Sequence, residues 1–256
     1  MILAIDVGNT NIVLGVLDGE KLLFSARCTT DHGKTEDEYA LIFQGMLAVH
    51  GVAPADIEGG ILSSVVPVLR TVIPRAVELI CGKKMIVVSH TIRTDLELRI
   101  DIPSQLGSDL LVDAVAAKSL YSAPIVIFDM GTATTLSVID KTGAYIGGMI
   151  LPGMQVAMDS LSNRTAQLPH INFGPPPRLI GANTEECMQA GAVYGWASMM
   201  DGLIGRVEKE LGQSVTTVLT GGLSSVVAPF CTREVNLQPD LLLLGLRILY
   251  DMNADK

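Results

Sequence analysis

Short apolar runs separated by polar turns make up the first thirty residues of the chain. Three strands are predicted there, at residues 2–5, 12–17 and 21–27. The first run ends at Asp6, and the turn Gly8-Asn9-Thr10-Asn11 leads into the second run. Asp18-Gly19, a strong hairpin signal, joins the second run to the third. The pattern predicts a meander of antiparallel strands that opens with a tight, glycine-bearing turn.

The same order of elements recurs about half a chain later. Strands are predicted again at residues 124–128, 136–139 and 145–150. The first of them ends at Asp129 and is followed by Gly131-Thr132-Ala133-Thr134-Thr135. Lys141-Thr142-Gly143 provides the turn between the other two. A repeat of this length indicates a duplicated lobe and not a solenoid of short units.

The remaining segments alternate between helical spacing and short apolar runs. Helices are predicted at residues 36–50, 69–80, 108–121, around 184–211 and near 240–253, and further strands at 60–66, 85–88 and 216–219. This alternation predicts an α/β protein with two lobes, residues 1–115 and 116–256. Their boundary should fall near residues 112–122, where a helix precedes the second Asp-bearing strand.

The two Asp-bearing turns are the candidates for chemistry. Glycine permits positive φ and a close approach of backbone N–H groups to an anion, and successive N–H groups in a turn form an anion site. Asn9 and Thr10 add donors, and an Asp at the strand end can hold Mg²⁺ or its waters. The alternative is that both are ordinary hairpin turns, since Asp, Gly, Asn and Thr favour turns. Two copies in equivalent places favour phosphate binding.

Composition and charge narrow the function classes. The formal net charge is -9, which argues against sequence-independent nucleic-acid binding, and the apolar runs are too short to span a bilayer, so neither nucleic acid nor membrane is an expected partner. Four well-separated cysteines and an N-terminus without a signal peptide favour a cytoplasmic protein with reduced thiols.

An ordered set of motifs carries a resemblance that extends over essentially the whole chain. The set consists of Asp6-Val7-Gly8-Asn9-Thr10-Asn11, Gly107-Ser108-Asp109, Asp129-Met130-Gly131-Thr132-Ala133-Thr134-Thr135, Gly147-Gly148-Met149-Ile150-Leu151-Pro152-Gly153 and Thr220-Gly221-Gly222. Together they resemble the type III pantothenate kinases of the acetate and sugar kinase/Hsp70/actin superfamily. The resemblance implies two duplicated ribonuclease H-like (actin-like ATPase) lobes, each with a mixed five-stranded sheet flanked by helices.

The same resemblance implies roles for individual residues. The ATP-binding set would be Asp6, Val7, Gly8, Asn9, Thr10, Asn11, Ile12, Val13, Thr132, Gly221 and Gly222. The substrate-binding set would be Gly107, Ser108, Asp109, Leu110 and Thr184. Asp109 would be the general base, Asp129 would hold K⁺ or NH₄⁺, and Asp6 would face Mg²⁺. The implied reaction is the ATP-dependent phosphorylation of pantothenate to 4′-phosphopantothenate, the first step of coenzyme A synthesis, by a homodimer.

Three positions depart from the family pattern. The family usually has Arg at the position of Leu110, an aromatic residue and an amide where Ile100 and Ile102 stand, and Asn in place of Asp113. Leu offers none of the five donors of an Arg guanidinium. Two alternatives therefore stay open, a kinase of another small alcohol and a nucleotide-binding regulator without catalysis. From the residues alone, Asp109 is equally well read as a residue that favours the helix dipole.

Overall fold

A computed structural model of the chain describes residues 1–254. Its strands are β1 Ile2–Val7, β2 Asn11–Asp18, β3 Lys21–Thr29, β4 Gly59–Ser64, β5 Met85–Val87, β6 Ile125–Met130, β7 Ala133–Ile139, β8 Tyr145–Pro152, β9 Thr216–Thr220 and β10 Asn236–Leu237. Its helices are α1 Glu36–Val49, α2 Leu69–Cys81, α3 Ser108–Leu120, α4 Met154–Arg164, α5 Thr184–Leu211, α6 Ser224–Val227 and α7 Leu241–Asn253. Of the helices in residues 1–254, none combines the length and apolar character that a membrane crossing requires.

The first unit is built on a five-stranded mixed sheet with the strand order β3-β2-β1-β4-β5. β1, β2 and β3 form the predicted antiparallel meander, and β4 and β5 join it in parallel. β1 and β4 are buried almost throughout, because helices cover the central strands. Tyr39 and Phe43 of α1 and Ile73 of α2 pack with the sheet side chains in one core.

The second unit repeats this plan in the order β10-β9-β6-β7-β8. β6, β7 and β8 are antiparallel neighbours, and β9 and β10 run parallel to β6. Its core joins Phe128 and Leu136 of the sheet to Met158 of α4 and Met200 and Ile204 of α5. The predicted fold class, two duplicated lobes with mixed five-stranded sheets, is confirmed.

Two helical regions differ from the prediction. The region around 184–211 is one continuous helix of 28 residues, α5, which begins at the side-chain cap of Asn183. α4 was not predicted. Of its eleven residues, only Met154 and Met158 are buried. Because the apolar stripe is so narrow, the sequence of this helix gives little helical signal.

The grouping of contacts also differs from the predicted lobes 1–115 and 116–256. The first unit comprises residues 1–95, 101–116 and the segment from Leu241 onward, and the second comprises 96–100 and 117–240. α7 belongs to the first unit because Leu243 packs on Gly15, Gly245 on Val112, and Tyr250 on Gly59. Residues 96–100 belong to the second unit because Glu97 and Arg99 exchange backbone hydrogen bonds with Tyr145 of β8.

Candidate functional site

The carboxyl ends of β1 and β4 lie side by side in the first unit. The two strands are parallel, with Asp6 opposite Ser63 and Val7 opposite Ser64. In open α/β sheets, ligands bind outside the carboxyl ends of the strands. Asp6 is half-buried there, and Ser63 and Ser64 are buried. This edge is the natural place for a ligand of the first unit.

Ser108 joins the start of α3 to this edge. The Ser63 hydroxyl donates to Ser108 Oγ at 3.1 Å, and the backbone N–H of Ser64 donates to the same oxygen at 3.1 Å. Two donors on one hydroxyl oxygen fix the first residue of the helix against the end of β4. The residue that follows in the chain, Asp109, is held at the same edge.

Asp109 lies in a confined position in the first turn of α3. Its Oδ1 accepts a hydrogen bond from the backbone N–H of Leu110 at 2.9 Å. A methyl group at Gly107 would overlap this same oxygen, so the carboxylate occupies the space that the glycine leaves. Burial raises the pKa of the Asp109 carboxyl above its ordinary value, and the hydrogen bond from Leu110 N–H only partly opposes it. A carboxylate with a raised pKa accepts a proton more readily than an exposed one.

The first turn, residues 8–11, is held from two sides. Gly8 N–H donates to the Asn11 carbonyl at 3.0 Å, within the turn. Thr30, directly after β3, donates from its hydroxyl to the Gly8 carbonyl at 2.7 Å and from its backbone N–H to the Thr10 carbonyl at 2.9 Å. Asn9, Thr10 and Asn11 are exposed. The turn therefore presents an exposed tip on a fixed base.

The glycines of the two turns provide open backbone and not the positive φ that was predicted for them. Neither Gly8 nor Gly131 has a positive φ in the structure. A Cβ added to Gly8 would lie 3.2 Å from the carbonyl oxygen of Asn11, and a Cβ added to Gly131 would lie 3.4 Å from that of Ala133. The crowding within the protein is therefore mild. What these glycines leave is open backbone at the turn, which suits the close approach of an anion.

The second turn brings Asp129 against the end of β9. Asp129 lies opposite Thr135 on one side and Thr220 on the other. The next residue along β9, Gly221, has a φ of +91°, and a methyl group there would overlap Asp129 Oδ1 and the backbone N of Met130. Gly221 is thus required for two reasons, its backbone conformation and the space that the Asp129 carboxylate takes.

The Asp129 carboxylate lies next to backbone that carries no side chain, and its chemistry suits a hard cation. Asp129 has its carboxylate beside the bare backbone of Gly221, and a Cβ on Gly131 would lie 3.8 and 3.9 Å from its two oxygens. Carboxylate and carbonyl oxygens are the ligands that K⁺-like and Mg²⁺-like ions accept. Asp129 and Asp6 would be the holders of such ions, and an ion there would offset the charge of phosphate groups.

The remaining predicted residues lie elsewhere. Thr132 is exposed and lies three residues after Asp129. Gly222 directly follows Gly221 and is also exposed. Thr184 is the first residue of α5 and lines a groove of about 540 Å³ whose other walls are mostly apolar side chains of α4 and α5. That groove includes no residue of the second turn. Leu110 is half-buried beside Asp109, Ile100 is half-buried, Ile102 is half-exposed, and Asp113 is buried.

Three residues that support the site were missed from the sequence. Thr30 and Gly153 hold the two turns, and Ser63 holds Ser108. Gly153 belongs to the motif set without a role of its own, Ser63 lies in a predicted strand, and Thr30 belongs to neither. Each acts through partners at least 20 residues away, the shortest separation being from Thr30 to Thr10, so local patterns carry no signal for it.

Solved structures share this architecture. The activator of the 2-hydroxyisocaproyl-CoA dehydratase from Clostridium difficile with bound ADPNP matches with a TM-score of 0.58 at 15% identity, over 98% of this chain and 94% of that one. A ROK family glucokinase from Streptomyces griseus in complex with glucose and AMPPNP matches with a TM-score of 0.56 at 13% identity, over 98% of both chains. The fold is that of the actin-like ATPases and sugar kinases.

Sequence relatives narrow this class further. The family model for type III pantothenate kinase matches residues 2–206. The type III pantothenate kinase of Moorella thermoacetica is 41% identical over 254 residues, which cover 99% of this chain and 100% of that protein. The chain belongs to the type III pantothenate kinase family.

Proposed function

We propose that this chain transfers the γ-phosphoryl group of ATP to the primary hydroxyl of pantothenate, giving 4′-phosphopantothenate and ADP in the first step of coenzyme A synthesis. The whole-chain match to the type III pantothenate kinases supports this activity. Phosphoryl transfer asks a protein mainly to position the two reactants and to offset the charge of the phosphates.

Asp109 is the general base in this proposal, and its placement is the observation that carries it. The carboxylate is confined by Gly107 and by the N–H of Leu110, beside a strand end, and burial raises its pKa. As the hydroxyl oxygen of the acceptor bonds to phosphorus, Asp109 takes the hydroxyl proton and the bond from phosphorus to the ADP oxygen breaks. We assign Gly107, Ser108 and Leu110 to acceptor binding from their place around Asp109, and Thr184 from the family resemblance alone.

The two turns serve the nucleotide. We assign Asp6 to Val13 to the phosphates, because the tip of this turn is exposed and its base is fixed. Thr132, Gly221 and Gly222 are assigned to further contacts with ATP. Asp129 would hold a monovalent cation, K⁺ or NH₄⁺, and Asp6 would face Mg²⁺. These ions supply positive charge that offsets the phosphates of ATP when it is bound.

The test is an Asp109→Asn variant, whose amide oxygen keeps the hydrogen bond from Leu110 N–H. We expect a loss of kcat of about 10²- to 10⁴-fold, measured as 4′-phosphopantothenate formed with ATP, Mg²⁺ and K⁺. Asp37→Asn is the matched control, since Asp37 also lies in the first turn of a helix but is exposed. Full activity of Asp109→Asn would contradict the assignment, and absence of product from the unaltered protein would contradict the function.

The pH profile gives an independent reading of the base. Because the pKa of Asp109 is raised, the carboxyl takes up a proton at a higher pH than an exposed aspartate does. A protonated base is inactive, so kcat/KM should fall as the pH is lowered through this raised pKa. In Asp109→Asn, this acid limb should disappear from the residual activity. An unchanged limb would mean that another group titrates.

The homodimer uses an apolar surface of the second unit in this proposal. The groove beside Thr184 and a second groove of about 470 Å³ share Cys187 and Gly191, and Leu161, Leu179 and Ile180 are exposed along them. Contiguous exposed apolar area of this kind favours self-association. Ile180→Asp should yield a monomer by light scattering, whereas Leu41→Asp, at an exposed leucine of the first unit, should leave the dimer intact.

A second acceptor is favoured by one observation. Leu110 presents an apolar side chain next to the base, where the family usually has Arg. A charge-assisted hydrogen bond to a carboxylate contributes about 1.5–3 kcal/mol, so the KM for pantothenate should fall about tenfold or more in Leu110→Arg. If Leu110→Arg instead lowers activity and an uncharged small alcohol outperforms pantothenate, the acceptor is that alcohol.

The four free cysteines agree with a cytoplasmic location for either reaction.

A further inference from the structure

Thr30 contacts the first turn in a way that no motif of the sequence explains. Thr30 directly follows β3, and its side chain reaches Gly8 of the turn. Its hydroxyl donates to the Gly8 carbonyl at 2.7 Å, while its own N–H donates to the Thr10 carbonyl at 2.9 Å. The hydroxyl bond is the shorter of the two, and it comes from a side chain that a substitution can remove.

The Gly8 carbonyl determines where the next amide points. The peptide unit between Gly8 and Asn9 is planar and trans, so its carbonyl and its N–H point in opposite directions. With the carbonyl held toward Thr30, the N–H of Asn9 is directed away from β3. This N–H has no acceptor among residues 1–254, and Asn9 is exposed.

We propose that Thr30 is a positioning residue for the nucleotide phosphates, and that its hydroxyl acts by fixing the Gly8–Asn9 peptide unit so that Asn9 N–H faces an anion. This inference rests on the proposed role of residues 6–13 as the phosphate turn. Preorganised backbone donors bind an anion without the cost of ordering the turn at the moment of binding. Loss of the hydroxyl leaves the Gly8 carbonyl without this partner and lets the peptide unit rotate.

Thr30→Val removes the hydroxyl and keeps the branched shape, and Thr30→Ser keeps the hydroxyl. We expect the Kd for AMPPNP, measured by calorimetry, to rise about three- to tenfold in Thr30→Val and to return to within about twofold in Thr30→Ser. The Kd for adenosine, which has no phosphates, should stay unchanged, and so should the KM for pantothenate. A variant that merely loosened the fold would weaken the binding of both nucleotide and adenosine.

The matched control is Thr216→Val in the second unit. Thr216 also donates from Oγ1 to a backbone carbonyl, that of Ser122, at 2.9 Å, but at the start of β9 and not at its Gly221 end. It should leave the AMPPNP affinity unchanged. Equal AMPPNP affinity for Thr30→Val and the unaltered protein, or an equal loss in Thr216→Val, would overturn the proposal.

The proposal can still be tested if Thr30→Val does not fold. Thr30→Ala and Thr30→Ser are then compared, and the proposal requires that the variant with the hydroxyl bind AMPPNP more tightly. The calorimetric readout also separates this proposal from the proposed function. A protein that binds AMPPNP in a Thr30-dependent way but makes no 4′-phosphopantothenate would refute the acceptor and leave the role of Thr30 standing.

Discussion

The two Asp-bearing turns start from the same strand plan and are supported in different ways. In the first unit, four residues, 8–11, join the paired residues Val7 and Ile12, and in the second unit three residues, 131–133, join Met130 and Thr134. The residue after the third strand supports each turn through its backbone N–H, which donates from Thr30 to the Thr10 carbonyl and from Gly153 to the Thr132 carbonyl at 3.1 Å. In the longer turn alone, a side chain adds a second bond, from the Thr30 hydroxyl to the Gly8 carbonyl.

This difference decides what each position tolerates. A methyl group at Gly153 would overlap the carbonyl oxygens of Thr132 and Gly131, because the backbones approach closely there. At position 30, a side chain is present and makes the contact itself. The duplicated turns therefore have opposite requirements at equivalent places, a hydroxyl in one unit and no side chain in the other.

The two units also differ at the residue that follows the parallel-strand partner of each aspartate. Ser64 follows Ser63, the partner of Asp6, and Gly221 follows Thr220, the partner of Asp129. Ser64 N–H donates to Ser108, which leads to Asp109, whereas Gly221 makes room for the Asp129 carboxylate. In one copy of the plan this position thus holds the start of the helix that carries Asp109, and in the other it makes room for the strand's own aspartate.

The largest effect is expected from Gly221→Ala, because this position of the second unit combines a positive φ with a close approach of other atoms. Alanine would be strained at a φ of +91° and would overlap Asp129 Oδ1 and Met130 N. We expect a loss of about 3 kcal/mol or more of unfolding free energy, measured by urea denaturation, together with loss of AMPPNP binding. Ser64→Ala, at the equivalent place in the first unit, removes only the hydroxyl that bonds to the backbone of Val66 and should cost less, about 1 kcal/mol. Equal costs would remove the distinction between the two strand ends.

An intermediate effect is expected from Gly153→Ala, which tests the backbone support of the shorter turn. Overlap with two carbonyl oxygens should cost about 1–3 kcal/mol, or roughly 3–10 °C in Tm for a chain of this size. Gly174→Ala is the control, because a Cβ there meets nothing within 4 Å. Scanning calorimetry of both variants gives the comparison, and a Gly153→Ala protein as stable as Gly174→Ala would show that the close approach is not required.

The smallest effect on stability is expected from the turn glycines themselves. Gly8→Ala and Gly131→Ala place a methyl group 3.2 and 3.4 Å from a single carbonyl oxygen, without positive φ. We expect changes in unfolding free energy below about 1 kcal/mol, measured by urea denaturation, but a raised KM for ATP if the two turns bind the phosphates as proposed. A large loss of stability with an unchanged KM would mean that the glycines serve the fold and not the ligand.

The sequence was sufficient for those features that local patterns record. Alternating apolar runs and Asp18-Gly19 placed the first meander, and helical spacing placed α1, α2 and α3 within a residue or so of their observed bounds. The strand ends, and with them Asp6 and Asp129, followed from the same patterns. The resemblance then supplied the fold class and the family.

Features that depend on distant partners were not predictable in this way. α7 follows the second unit in the chain but packs through Gly245 and Tyr250 on the first, and nothing in its own apolar pattern selects one sheet over the other. Thr30 and Ser63 act through hydrogen bonds that exist only after folding. The glycines of the turns were identified, but positive φ was the wrong reason for Gly8 and Gly131.

Three consecutive residues at the start of α3 have three different roles. Ser108 ties the helix to β4, Asp109 carries the carboxylate, and Leu110 contributes to holding that carboxylate only through its backbone N–H. Every residue except proline has this N–H, so the side chain at position 110 can change without moving the Asp109 carboxylate. Acceptor preference in such a protein can drift by single substitutions during evolution while the machinery for phosphoryl transfer stays in place.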